Sequence, residues 1–163
     1  MLIKTARHAA AALALALVAA SAAQAQSATQ TVTFAVNAIN QISIAGAPSL
    51  TITTAVAGSA PTSVTDASST WAVTTNQSGA TVSASIGSNM PAGLTLSVNL
   101  AAPTGATSAA YQTLTSTPIA LVTAVTKQAQ SGMSATYKLD ATLAAGVVAS
   151  ATRVVTYTIG GGT

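Results

Sequence analysis

The chain has 163 residues; half are apolar, 4% are charged, and the formal net charge is +3. Setting aside the first 25 residues, which read as an export signal, leaves 138 with three cations (Lys127, Lys138, Arg153) and two anions (Asp66, Asp140), a net of +1. Those 138 residues contain no Cys, His or Glu, which excludes disulfides and thiolate or imidazole metal sites, and their three scattered cations exclude a basic nucleic-acid-binding face.

The chain opens with a cationic head carrying Lys4, Arg7 and His8, followed by the apolar run "AAAALALALVAA". That run is shorter than the roughly twenty residues needed to span a bilayer. Ala23-Gln24-Ala25 then supplies the small-x-small pattern of a signal-peptidase site, so residues 1–25 are expected to be removed and the protein exported. Its expected destination is the cell surface, the extracellular space or the periplasm. No other long apolar run follows, so no transmembrane segment is expected in the mature chain.

"TVTFAVNAINQISI" (Thr31 to Ile44) places Val32, Phe34, Val36, Ile42 and Ile44 on even positions, with mostly Thr, Asn, Gln and Ser on odd ones. A period of two marks a strand with one apolar face. The run is far longer than the usual strand of about five or six residues. Ile39 and Asn40 interrupt it, which predicts a bulge near Asn37 to Asn40 where the strand bends from one sheet to another. Its five apolar residues (Val32, Phe34, Val36, Ile42, Ile44) are the candidate assembly strand.

"SLTIT" (Ser49 to Thr53) reads as a short strand, and Val56 to Ser69 as a loop in which Asp66 makes an Asx-type turn. "TWAVTT" puts Trp71 and Val73 on one face, making Trp71 a core anchor, and Asn76 to Gly79 has hairpin-turn composition. Ala80 to Ile86 and Leu94 to Leu100 alternate cleanly around the breaker Gly87 to Gly93. A loop at Ala101 to Ala110 precedes weaker strands at Tyr111 to Thr115 and Ile119 to Val125. After a turn at Lys127 to Gly132, Ala135, Tyr137, Leu139 and Ala141 share a face, with Lys138 and Asp140 on the other. Val155, Tyr157 and Ile159 line the last strand, and residues 160–163 read as a flexible end.

The fold expected is all-β: a single antiparallel β-sandwich of the Ig-like, Greek-key type, with about eight or nine strands over residues 26–159. No segment after the signal has helical spacing, and no fixed-period repeat is present. One Trp, one Phe and three Tyr are too few to build the two aromatic girdles of an outer-membrane barrel.

The inventory of reactive groups predicts that the protein is not an enzyme and carries no cofactor or metal. A nucleophilic Ser needs a base, and only Lys127 (near Ser131) or Lys138 is at hand. Carboxylate chemistry would need Asp66 and Asp140 to meet.

What remains is a Thr/Ser-rich surface with few of the charges that normally block edge-to-edge strand pairing. The expected function is a secreted structural protein, a fibre or matrix subunit that self-associates by β-strand addition. The alternative is a monomeric binding module for a polysaccharide or another surface partner, using its neutral faces and the loops at Val56 to Ser69 and Ala101 to Ala110. With its opening "TVTFAVNAINQISI", internal "STWAVTTN" and closing "ASATRVVTYTI", the chain resembles small exported bacterial all-β surface proteins, a resemblance that implies no particular activity. Through Trp71-Ala72-Val73 it resembles, more loosely, the WxL-type cell-wall-binding domains, although its third residue is not Leu.

Overall fold

Alternating apolar residues become strands only where another strand meets their backbone, and that condition decides which stretches pair here. The structure, a computed structural model, describes residues 25–163. The expected signal segment lies outside the described residues except for Ala25. Two units divide the chain: residues 25–35, the described part of the first, contain no strand, and Val36–Thr163 hold them all.

The strands are β1 (Asn40–Ala45), β2 (Val64–Thr75), β3 (Ala80–Ile86), β4 (Leu94–Leu100), β5 (Thr107–Ser108), β6 (Gln112–Thr113), β7 (Ile119–Val125), β8 (Gln128–Ala141) and β9 (Val155–Gly160). They form two antiparallel sheets, ordered β1-β2-β8-β4-β6 and β5-β7-β3-β9. Of the consecutive strands only β1 and β2 pair; each later connection passes from one sheet to the other. The protein is therefore almost all β, with a single 3-10 turn at Leu143–Ala145 among the described residues.

Both sheets turn apolar side chains into one cluster. Trp71 and Val73 of β2, Leu96, Val98 and Leu100 of β4, and Met133, Ala135 and Tyr137 of β8 come from the first sheet. Ala80, Val82, Ala84 and Ile86 of β3 meet them from the second, with Leu121, Val122 and Val125 of β7. In β3 every second residue is buried, as its alternation predicts. Trp71 is 2% exposed, and its indole N–H donates to the Ala101 carbonyl at 3.1 Å, so the one polar group of the ring is satisfied inside.

Several expectations need correction. Thr31 to Ile44 is not one strand: residues 31–39 belong to no strand, and only Asn40–Ala45 joins a sheet, so the expected bend between two sheets is not present. Side-chain period alone does not supply a pairing partner. Ser49 to Thr53 is likewise unpaired, although Leu50 and Ile52 are half-buried. The loop after Val56 ends at Ser63, because β2 begins at Val64 and carries a bulge between Asp66 and Ser69 that hides its alternation.

Asn76 to Gly79 is a corner rather than a hairpin, since β2 and β3 lie in different sheets. The turn expected at Lys127 to Gly132 shrinks to Thr126 and Lys127, and β8 runs through the rest. Two-residue β5 lies within the expected loop Ala101 to Ala110. The glycine-rich end is held rather than free: Thr163 and Ser78 exchange two backbone hydrogen bonds, of 2.9 and 3.1 Å.

Candidate assembly site

The candidate assembly residues divide into two groups. Val32, Phe34 and Val36 are 72%, 89% and 80% exposed, on a segment that runs from residue 25 to residue 39 without a turn or bend. Ile42 and Ile44 lie on β1 opposite Val73 and Trp71, with Ile42 packed against the core and Ile44 partly exposed. Exposed apolar side chains spaced at i, i+2 and i+4 on a backbone without turn or bend are what strand addition uses: main-chain bonds give affinity and alternate side chains fill pockets.

The root of this segment is fixed by Asn76. Its side-chain amide donates to the Asn37 carbonyl at 2.8 Å, and its Oδ1 accepts from the Ile39 N–H at 2.8 Å. The Asn76 N–H also reaches the Ile39 carbonyl at 3.3 Å. Beside it, the Thr75 hydroxyl donates to Asn40 Oδ1 at 2.6 Å. These bonds end at Asn37.

The sheet edges are β1 and β6 in one sheet and β5 and β9 in the other. Neither β1 (NQISIA) nor β9 (VTYTIG) contains a Lys, Glu, Asp or Pro to discourage pairing. Chain composition made that absence visible; strand order was needed to say which edges are bare.

A feature that the periodicity did not reveal lies at one end of the sheets. A groove of about 570 Å³ is lined by Leu50, Ile52, Met90, Leu94, Leu139 and Val148, among others. Two of its walls, residues 50–53 and 148–151, run without turn or bend. Among the described residues neither makes a backbone-to-backbone hydrogen bond. Leu143, Val147 and Val154, which flank this wall, are exposed. Arg153 stands at the rim, donating to the Thr152 carbonyl at 2.9 Å and the Asn89 carbonyl at 3.5 Å. The sequence signal was faint: Leu50 and Ile52 lie in a short expected strand and Met90 in the expected breaker Gly87 to Gly93, and nothing in the spacing brings them together.

The two carboxylates are occupied locally. Asp66 accepts from the Ser68 hydroxyl, the Ser49 N–H at 2.9 Å and the Ser68 N–H at 2.8 Å; the last is the expected Asx-type contact. These donors, the Ser68 hydroxyl foremost, hold its pKa below the ordinary carboxylate value. Asp140 accepts from the Ser63 hydroxyl and pairs with Lys138 at 2.9 Å. Its pKa is lowered, chiefly by the Ser63 bond.

The two carboxylates are apart in the register: Asp66 faces Tyr137, and Asp140 faces Thr95. Among the described residues no three His, Cys, Asp or Glu gather to hold a metal ion, and no helix is long and apolar enough to cross a membrane. Comparison with protein-family models, curated proteins and solved structures found no match.

Proposed function

We propose that this protein is an exported, non-enzymatic structural subunit, held at the cell surface, outside the cell or in the periplasm, that self-associates by β-strand addition. In this reading the two sheets form an Ig-like, Greek-key sandwich, and the segment Thr31 to Val36 is the strand it lends to a neighbour. The observation that carries the reading is the exposure of Val32, Phe34 and Val36 along a backbone that joins no strand among the described residues. Such a strip buries its apolar area and satisfies its amides together only by joining a sheet.

The test is the mass of the purified exported protein in solution, by light scattering over a wide concentration range. The mass is expected to grow with concentration, and Val32→Ser/Phe34→Ser/Val36→Ser is expected to remain a monomer. A wild-type protein that is monomeric throughout overturns the proposal and favours the binding module. The same preparation, by intact mass, is expected to begin at Gln26.

A further inference from the structure

We propose that the groove between residues 50–53 and 148–151 is the acceptor for the Thr31–Val36 segment of a second copy of this chain, so that copies join head to tail. The inference rests on the self-association reading above and adds where the lent strand docks. The occupant is chosen by three observations.

The first is chemical. The groove is apolar at Leu50, Ile52, Met90, Leu94, Leu139 and Val148, and the leading segment offers three uncharged apolar side chains on one edge. The second concerns the backbone. The two walls carry N–H and C=O groups with no backbone partner among the described residues, the condition under which an added strand gains main-chain bonds.

The third is reach. Val64 pairs with Leu139 and Leu94 with Ala141, so the groove lies where β2 and β4 begin and β8 ends. Thr75 pairs with Asn40 and Gln128, so Asn37, held by Asn76, belongs to the opposite end. At ~3.3 Å per residue β2 covers about 35 Å between those ends. Val32 is five residues from Asn37 and reaches at most about 18 Å from it. A chain therefore cannot fill its own groove with this segment, whatever direction the segment takes. A donor at one end and an acceptor at the other make a heterologous contact, which extends into a filament unless a rotation closes it.

The test uses two variants of the exported protein, each defective in one partner surface. Val32→Ser/Phe34→Ser/Val36→Ser keeps the groove and loses the donor. Val148→Glu keeps the donor and places a charge at a partly exposed position on the groove wall. Each alone is expected to be a monomer, and an equimolar mixture is expected to give twice the monomer mass and nothing larger.

Because the chain has no cysteine, single substitutions provide a second, position-resolved readout. Oxidising Thr33→Cys with Ser150→Cys is expected to give a mixed disulfide dimer, whereas Thr33→Cys with Ser43→Cys on β1 or Thr158→Cys on β9 is not. If Val148→Glu polymerises like wild type, or Thr33→Cys is trapped at β1 or β9 instead, the groove assignment is wrong while self-association stands. A wild-type protein that remains monomeric at every concentration removes both.

Discussion

The hydroxyl of Tyr137 on β8 lies 2.6 Å from the hydroxyl of Tyr157 on β9, so one hydrogen bond joins the two sheets through the apolar layer. Burial raises the pKa of both phenols above the ordinary value near 10. Both are neutral in the folded state below about pH 10, where the stability they contribute is fully present; it is lost as pH rises past that value. Each phenol held neutral steepens the loss by up to about 1.4 kcal/mol per pH unit. Urea midpoints between pH 8 and 11.5 are expected to be flat and then fall.

A double-mutant cycle on the same pair separates the bond from the burial. Tyr137→Phe or Tyr157→Phe alone leaves one hydroxyl without its partner and is expected to cost about 1–2 kcal/mol. Removing both hydroxyls should cost less than the sum of the single losses, because no orphan remains. Additive losses would show that the two hydroxyls do not act as a pair.

Trp71 is the only tryptophan, so its emission reports the core directly. It is expected to be blue-shifted and protected from iodide. Trp71→Ala should destabilise by about 3–5 kcal/mol, the cost of a buried aromatic. Trp71→Phe should cost less, about 1–3 kcal/mol, with the Ala101 carbonyl then lacking its donor. A red-shifted, quenchable native emission would contradict the burial.

Where the sequence was legible, the physics was local. Ala80 to Ile86 alternates because β3 has one face in the core, and Trp71 with Val73 could be assigned inward by the same spacing. Where it was not, the deciding partner lay elsewhere in the chain. Gly79 takes φ +75°, a turn conformation suited to its composition, but the turn residues do not say whether the next strand returns beside the last or crosses to another sheet. Thr31 to Val36 has the strand period without a strand beside it among the described residues. The groove was hidden for a related reason: its two walls are nearly a hundred positions apart, and neither stretch alone points to the other.

Asp66 ties the segment after β1 to the bulge of β2 through the N–H groups of Ser49 and Ser68. Because its folded pKa is lowered, the stability it contributes is present above about pH 4 and is lost as pH falls through the folded value. Asp66→Asn should flatten the part of the acid limb that Asp66 causes, leaving the part due to Asp140. Carboxyl-carbon NMR titration gives the independent check: a midpoint for Asp66 at or above the ordinary value would contradict the geometry.

Gly93, at the entry to β4, provides a steric prediction beside the groove. Its φ is +82°, and an added Cβ would lie 2.5 Å from the backbone nitrogen of Ala145 and 2.8 Å from its Cα. The same glycine accepts the Thr142 N–H at 2.8 Å, so Thr142 to Ala145 is held against it. Gly105 is the control: its φ is +78°, but no atom lies within 4 Å of an added Cβ. Gly105→Ala should therefore show the conformational cost alone, about 1–2 kcal/mol. Gly93→Ala must bear that cost and also displace a backbone, and a total of about 3–4 kcal/mol is expected. Urea unfolding of the two variants measures the difference; equal losses would mean that the chain around Ala145 yields freely and does not close firmly over Gly93.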